Sequence, residues 1–379
     1  MEKINFYQLF KRKTTSTFFI PEIDGLRFLA ITMVIICHIQ ALYLPRTSSS
    51  MSFSTIEEFI RILMRNNSDS GVLLFFTISG FILMLPFARH HLFKERQTSL
   101  RKYYIRRLTR LEPPYILALF FLFTLKIIFQ NKNGWELLPH LGASLLYLHT
   151  AIYSEMSKIT PITWSLEVEI QFYLLAPLIA NVFRINKKLR RLIIISTIIF
   201  IAVIQDSFNL SKFTFLGTAQ YFAAGFLLCD FYLSKEKICI SRSLIKPLGA
   251  ILLFGLILVG TKDLPGKIIY PLLTFLFCHL VLHSDVWKEK FSNKWLTSIG
   301  GMCYSLYLLH FAIISFLGNK TFHIKIAESY ILNFILQVML LLPSILIISA
   351  IFFLIIEKPC MDPQWPRKIL NKFKKEPSN

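Results

Sequence analysis

An arginine and a histidine fall on one face of the first apolar stretch of the chain. Arg27 and His38 are eleven residues apart, and at about 100° per residue this spacing amounts to about three turns of helix plus about 20°. At a rise of about 1.5 Å per residue, their side chains are separated by roughly 16 Å along the helix axis. If this stretch is a membrane helix, a neutral histidine deep within it could act as a general base or as a nucleophile. The arginine, at the end of that helix, could hold an anion. A hydrogen bond between helices would also explain His38, and an interfacial anchor would explain Arg27.

A second pair of arginines precedes the third apolar stretch. Arg107 and Arg110 are three residues apart, so on a helix they share a face. The guanidinium fork suits the recognition of phosphate oxygens through paired hydrogen bonds. Anchoring at the membrane surface is the alternative interpretation of these residues.

Polar residues also interrupt two later apolar stretches. Glu167 and Glu169 are two residues apart and point about 200° from each other on a helix, so one pocket is not expected to receive both. An ion pair with a neighbouring helix is the alternative to a catalytic role. Further along, Tyr304 and Tyr307 share a helix face, and His310 lies about 120° off it. Packing between helices, with the tyrosine hydroxyl groups hydrogen-bonded, would explain these three residues as well.

The elements that carry these residues are expected to be membrane helices. The chain has 379 residues, of which 54% are hydrophobic and 17% charged, against about 25% charged in soluble domains, and its mean hydropathy is +0.54. A soluble protein could not cover that much apolar surface, so a soluble nucleic-acid-binding protein is excluded despite a net charge of +20, as are intrinsic disorder and a disulfide-stapled secreted domain. We predict an all-α, polytopic integral membrane protein of about ten transmembrane helices. The predicted spans are 26–45, 70–88, 113–130, 163–183, 192–206, 213–233, 246–261, 268–284, 299–317 and 330–356.

The distribution of basic residues predicts the orientation of these helices. Most of the 42 lysines and arginines fall before the first span, in alternate loops and after the last span. The positive-inside rule therefore places both termini in the cytoplasm. We predict a cytoplasmic N-terminal segment over 1–25, one membrane domain over 26–356 and a basic cytoplasmic tail over 357–379. Segment 135–149 is expected to be re-entrant or interfacial, because another crossing there would move the basic loops outside.

Taken together, the motifs resemble those of the membrane-bound acyltransferase family 3, whose members O-acylate cell-envelope sugars. Arg27 with His38 resembles the family's motif of an arginine, ten residues and a histidine, and the run Arg107 to Arg110 resembles its Arg-x-x-Arg motif. Further segments match the family in order and spacing: Gly71 to Phe81, Trp164-Ser165-Leu166 with Glu169, Tyr304 to His310, and Glu357-Lys358-Pro359. The resemblance runs from about residue 20 to 358 and fits the stand-alone form, without the SGNH hydrolase-like domain that many relatives append.

The resemblance implies an O-acyltransferase, and specifically an O-acetyltransferase. Its donor would be acetyl-CoA, or another acyl-CoA, on the cytoplasmic side, used as a co-substrate with no tightly bound cofactor. Its acceptor would be a hydroxyl group of a cell-surface glycan or lipid-linked glycan, such as lipopolysaccharide O-antigen or exopolysaccharide, on the outer side of the bacterial inner membrane. Membrane lipid is the other expected partner, nucleic acid is not expected, and no cysteine pair has the spacing of a zinc site.

The resemblance also implies roles for the candidate residues. The implied catalytic residues are His38 and Glu169, with Glu169 orienting the histidine or stabilising positive charge on it. The residues expected to hold the phosphates of acyl-CoA are Arg27, Arg107 and Arg110. The residues expected to contact a substrate are Trp164, Ser165, Tyr304 and His310.

A transporter or flippase for an anionic solute, without acyl-transfer chemistry, is the alternative function. About ten helices with buried charges fit that class too, although the chain shows neither an inverted repeat nor paired glycine-interrupted helices. Release of free CoA separates the two classes, because a transporter makes none. A structural membrane subunit is a third reading, and it would leave Arg27 and His38 unexplained.

Overall fold

The computed structural model is built from helices. It describes residues 9–10, 12, 19–47, 54–236, 241–362 and 364–366; it is 81% helical, and no β-strand occurs within those ranges. In chain order the helices are α1 (Pro21–Thr47), α2 (Thr55–Asn66), α3 (Ser70–Phe93), α4 (Leu100–Gln130), α5 (Gly134–Leu145), α6 (His149–Tyr153), α7 (Trp164–Ile179), α8 (Lys187–Ser207), α9 (Ala219–Leu233), α10 (Arg242–Leu258), α11 (Leu264–His283), α12 (Asp285–Phe291), α13 (Lys294–Gly301), α14 (Cys303–Thr321), α15 (Tyr330–Phe352) and α16 (Lys358–Cys360). Short 3₁₀ turns flank α7 at Pro161–Thr163 and Ala180–Arg184, and a π turn, Phe353–Glu357, follows α15.

Successive long helices run in alternate directions and define two ends of the bundle. The basic end is where α1 begins, and an ion pair there joins Glu22 to Lys288 over 3.8 Å. The distal end is the opposite one, toward which α1 runs. On that side an ion pair joins Lys212 to Asp69 over 2.6 Å, and Asp69 lies near Cys37 of α1. Each end therefore collects residues from distant parts of the chain.

Helices occupy all of the predicted span positions, so the all-α membrane fold is confirmed. Among the described residues, 6 helices are long and apolar enough to cross a membrane, or 7 if the pair α13 and α14, which is bent by 69°, forms one span. The predicted count of ten crossings is not confirmed. Helices α9 and α10 have 15 and 17 residues, short of the roughly 20 that cross hydrocarbon, and α8 begins with the basic run Lys187 to Arg191.

Three other predicted segments have partial counterparts in the structure. Segment 135–149 contains most of α5 and the start of α6, and the 12 residues of α5 are too few to cross the bilayer. The predicted N-terminal segment 1–25 and tail 357–379 are described only in part. Within them, the following lie outside the described residues: 1–8, 11, 13–18, 363 and 367–379.

Helix α1 lies at the centre of the bundle region that carries the candidate residues. It packs against α3, α13, α14 and α15. Gly300 on α13 lies so close that a Cβ atom there would be 1.7 Å from the carbonyl oxygen of Asp24. Gly71 on α3 is similarly constrained, since its Cβ atom would be 2.6 Å from the carbonyl oxygen of Ala30. Small residues therefore let two neighbours approach α1 closely, which fixes the direction in which its candidate residues point.

Candidate active site

His38 on α1 faces His310 on α14. Nδ1 of His38 lies 2.9 Å from Nε2 of His310, and the ring of Phe311 meets the His38 ring edge-on with centroids 5.3 Å apart. His310 is fully buried, whereas His38 is partly exposed. From the sequence, His310 is expected to contact a substrate, but in the structure it is the direct partner of the candidate base.

Glu169, which the sequence analysis paired with His38, has other partners. Its Oε1 atom accepts hydrogen bonds from the hydroxyl groups of Ser79 on α3, at 2.7 Å, and of Tyr173 on α7, at 2.5 Å. In the described part of the chain, the carboxylate bonds to these hydroxyls rather than to the histidine. It also interacts electrostatically with Arg27, so Glu169 lies on the side of the site that faces the basic end.

Glu167 lies in a different pocket from Glu169, as their spacing along a helix indicates. The buried Glu167 accepts hydrogen bonds at Oε2 from the backbone N–H of Thr150, at 2.9 Å, and from its hydroxyl, at 2.6 Å. These bonds tie the first turn of α7 to α6. Glu167 therefore anchors the segment between α4 and α7.

Arg27 is held at the basic end by a carboxylate one turn earlier on α1. Its Nη1 atom lies 2.6 Å from Oδ1 of Asp24, and Nη1 of Arg12 lies 3.8 Å from the same oxygen. Arg12 in turn interacts electrostatically with Arg27 and Arg110. Arg12 does not stand out in the sequence, because a basic residue before the first helix is fully explained by membrane orientation.

Arg107 and Arg110 on α4 extend this cluster. The guanidinium of Arg107 lies between two aromatic rings, 4.7 Å from the centroid of Tyr103 and 4.6 Å from that of Tyr173. Among the described residues, the buried Nε atoms of Arg12, Arg107 and Arg110 have no hydrogen-bond partner. Buried donors without a partner are unusual in folded proteins, so the cluster is suited to receive an acceptor-rich anion. We call Arg12, Arg27, Arg107 and Arg110 the arginine cluster.

A glutamate from the last part of the described chain faces the same region. Oε2 of Glu357 accepts hydrogen bonds from the backbone N–H of Ser305, at 3.0 Å, and from its hydroxyl, at 2.5 Å. The buried Oε1 atom has no hydrogen-bond partner among the described residues, and the carboxyl group interacts electrostatically with Arg110 and Arg12. Tyr304, predicted to contact a substrate, donates to the carbonyl oxygen of Leu111 at 3.0 Å, which places it beside the arginine cluster.

Ser165 and Trp164 lie on the other side of the histidine pair. The Ser165 hydroxyl is 2.7 Å from the hydroxyl of Tyr307, which donates to the carbonyl oxygen of Ile162. The Tyr307 ring lies 6.0 Å from the ring of His310. Ser165 at the start of α7 is thereby connected to the histidine pair, whereas Trp164 borders the distal cavity and Tyr304 is not part of this group.

A cavity of about 270 Å³ opens at the distal end next to Trp164. Its lining includes Asp69, Trp164, Gln205, Lys212, Tyr221 and Lys267. Nζ of Lys212 lies 5.2 Å from the centroid of the Trp164 ring, and Lys212 interacts electrostatically with His38. Lys212 lies in the loop between α8 and α9. It does not stand out in the sequence, because a single lysine in a polar loop forms no pattern.

The fold and the site together define a helical membrane protein with a buried histidine pair between an arginine cluster and a distal polar cavity. The model of the acyltransferase 3 family, described as an acyltransferase domain, matches residues 20–354. The chain therefore belongs to this membrane acyltransferase family.

Relatives of the chain include enzymes named as O-acetyltransferases. The O-acetyltransferase OatA of Staphylococcus aureus strain NCTC 8325 / PS 47 is 27% identical over 345 residues, which is 82% of this chain and 53% of that protein. OatA of Staphylococcus aureus strain COL matches to the same extent. The chain thus spans about half the length of the curated relatives it matches. No solved structure matches the chain significantly.

Proposed function

We propose that the protein is an O-acyltransferase that moves an acetyl group from acetyl-CoA to a hydroxyl group of a cell-surface glycan, such as lipopolysaccharide O-antigen or exopolysaccharide. The observation that carries this proposal is the location of His38, between the arginine cluster at the basic end and the cavity at the distal end. We further propose that the basic end faces the cytoplasm of a bacterial cell, with the chain in the inner membrane. This orientation follows from the positive-inside rule.

The arginine cluster suits the phosphates of acyl-CoA. CoA carries a diphosphate and a 3′-phosphate at one end and its thiol at the end of a long flexible arm. Arg107 and Arg110 share a helix face. Their Nε atoms, which have no hydrogen-bond partner in the described part of the chain, are donors of the kind that bind phosphate in pairs. With the phosphates held there, the thioester can extend along α1 toward His38, about 16 Å from Arg27 along the axis.

The distal cavity suits the acceptor. Trp164 offers an aromatic face, and Asp69, Gln205 and Lys212 offer hydrogen-bonding groups. Its volume of about 270 Å³ is just below the range of about 300–1,000 Å³ for pockets that hold drug-sized ligands. The cavity therefore fits one sugar unit of a glycan or lipid-linked glycan, with the rest of the acceptor outside.

The chemistry is the transfer of an acyl group from sulfur to oxygen. The acceptor oxygen forms a bond to the thioester carbonyl carbon, the C–S bond breaks, and the hydroxyl proton ends on the CoA sulfur. No oxidant, reductant or metal takes part in this balance. His38 is partly exposed and lies between the two sites that we propose for donor and acceptor. Proton transfer by such a residue is typically worth about 10²–10⁴-fold in rate.

The test is the release of free CoA from acetyl-CoA by purified protein in liposomes, with and without crude envelope glycan. The variants are His38→Ala and, as a matched control, His323→Ala, which removes an exposed histidine near the distal end. We expect glycan-dependent CoA release from the wild type and the control, with loss of at least about 10²-fold in His38→Ala. Flux of an anionic solute without CoA release would establish the transporter function instead, and release that survives in His38→Ala would remove His38 from the chemistry.

A further inference from the structure

The hydrogen bonds of His310 determine which of its ring nitrogens carries the proton. Nδ1 of His310 lies 2.9 Å from the carbonyl oxygen of Leu306 and 2.8 Å from that of Tyr307. A carbonyl oxygen can only accept, so Nδ1 must carry the hydrogen and donate. His310 is fully buried and its hydrogen-bond partners are uncharged, so a doubly protonated ring would place an uncompensated charge in the core. The ring is therefore neutral, and its Nε2 atom is an acceptor.

The tautomer of His310 in turn fixes the tautomer of His38. Nδ1 of His38 lies 2.9 Å from Nε2 of His310. Because the His310 nitrogen accepts, Nδ1 of His38 must be the donor. A neutral imidazole has one N–H and one lone pair, so the lone pair of His38 is on Nε2. The perpendicular ring of Phe311, at 5.3 Å, restricts rotation of the His38 ring and so helps to keep this arrangement.

The tautomer of His38 matters because a free histidine side chain prefers the opposite tautomer. A neutral histidine side chain in water favours the proton on Nε2, which leaves the lone pair on Nδ1. Without His310, the lone pair of His38 would shift toward Nδ1, on the side that faces α14. In serine proteases, loss of the residue that holds the catalytic histidine in its tautomer lowers kcat by about 10⁴-fold. We expect the loss of His310 to lower kcat by a similar factor, although His310 is a neutral imidazole rather than a carboxylate.

We propose that His310 is a positioning residue that holds His38 in the Nδ1-protonated tautomer, so that Nε2 of His38 is the atom that accepts the proton of the acceptor hydroxyl. This inference rests on the acyl transfer proposed above for its catalytic part, while the tautomer itself is a property of the resting protein. In the reaction, the hydroxyl proton moves to Nε2 as the oxygen bonds to the acyl carbon. The same proton then moves from Nε2 to the departing CoA sulfur as the C–S bond breaks. His310 keeps its own proton throughout and returns His38 to the starting tautomer.

A neutral partner also distinguishes this pair from a histidine–carboxylate pair. A carboxylate would stabilise the imidazolium by its charge, whereas His310 supplies a hydrogen bond alone. The nearby cation Lys212, which interacts electrostatically with His38, further disfavours a long-lived imidazolium. His38 is therefore suited to pass its proton on within the same reaction rather than to store it.

The first test measures the tautomer directly in the resting protein. The full chain, labelled with ¹⁵N in its histidine rings, is placed in nanodiscs, and the His38 resonances are assigned by their loss in His38→Gln. We expect a protonated Nδ1 and an unprotonated Nε2 for His38 in the wild type. A protonated Nε2 would overturn the proposal whether or not the protein transfers acyl groups.

The second test uses two variants of His310 with opposite expected outcomes. His310→Phe keeps a flat ring in the site but removes the acceptor, while His310→Gln restores an oxygen near the former Nε2 atom. We expect His310→Phe to lower kcat by about 10²–10⁴-fold without changing the KM for acetyl-CoA, because the arginine cluster is on another part of the bundle. We expect His310→Gln to recover at least about tenfold of that loss, since its oxygen can accept from Nδ1 of His38.

A merely structural role for His310 gives a different pattern. Both variants would then lower the folded fraction, measured by size-exclusion chromatography, and leave kcat per folded molecule unchanged. Wild-type kcat in His310→Phe would overturn the positioning role. If the wild type transfers no acyl group to any glycan, the proposed function fails, and the ¹⁵N measurement still decides the tautomer of His38.

Discussion

Replacing Arg107 with lysine should weaken the binding of acetyl-CoA even though the positive charge is kept. The guanidinium of Arg107 is flanked by the rings of Tyr103 and Tyr173, with centroid distances of 4.7 and 4.6 Å. A guanidinium is flat and stacks on aromatic faces while its edge presents paired N–H donors. An ammonium group is a compact point charge that can do only one of these at a time.

The size of the effect follows from the two interactions that lysine loses. A cation–π contact contributes about 0.5–1 kcal/mol when exposed and about 2 kcal/mol when desolvated, and Arg107 is partly buried. A hydrogen bond to a charged group contributes about 1.5–3 kcal/mol. Lysine retains part of each, so we expect a net loss of about 1.5–3 kcal/mol. This corresponds to a Kd for acetyl-CoA that is about 10–150-fold higher, since about 1.4 kcal/mol is a factor of ten.

The assay is calorimetric titration of the protein in nanodiscs with a thioether analogue of acetyl-CoA, which binds without transferring its acyl group. The matched control is Arg106→Lys, because Arg106 is adjacent in sequence and exposed. We expect the control to change Kd by less than about twofold, in line with the small contributions of exposed charges. Equal losses in the two variants would show that general surface charge attracts the donor. Unchanged binding in Arg107→Lys would refute the assignment of Arg107 to the donor site.

Two further predictions concern stability. Asp230→Asn should lower the unfolding free energy by about 3–5 kcal/mol, because the fully buried carboxylate accepts hydrogen bonds from both Arg190 and Arg191. The measurement is the melting temperature, which should fall. An unchanged melting temperature would count against a stabilising role for this ion cluster. Burial lowers the pKa of His140 and of His149 in the folded protein. Their contribution to the unfolding free energy is therefore fully present above about pH 6.5. Below that pH the unfolding free energy should fall by up to about 1.4 kcal/mol per pH unit for each histidine, because the unfolded chain takes up the proton first. Thermal unfolding at pH 7.5 and 5.5 checks this, with a smaller difference expected in His140→Gln; equal differences would exclude His140 as a contributor.

Some of the site could be predicted because it depends on one helix alone. The spacing of Arg27 and His38 sets their angle and separation on α1 through helix geometry. The spacing of Glu167 and Glu169 likewise predicted separate pockets, which the structure contains. Angles and distances between residues on one helix can be predicted without knowing which helices are neighbours.

The partners of these residues could not be predicted, because they depend on packing between distant helices. His310 is 272 residues from His38 in sequence, and its own helix pattern is explained equally well by packing. The expectation that Glu169 orients His38 had no geometric basis in the sequence, and Glu169 instead bonds to Ser79 and Tyr173. Residues in loops, such as Lys212, have no periodicity to mark them.

The donor that we propose, acyl-CoA, explains why this arrangement has to be rigid. The distance between the phosphates and the thioester of acyl-CoA is limited by the length of its arm, so the phosphate site and the base must keep a constant separation. One continuous helix provides that separation, about 16 Å between Arg27 and His38. The bent pair α13 and α14 contacts α1 near both residues: Gly300 packs against the backbone of Asp24, and His310 bonds to His38. The 69° bend thus lets one pair of helices brace both ends of the proposed donor path. A change in that bend should therefore alter acyl transfer without removing any group that we assign to donor binding.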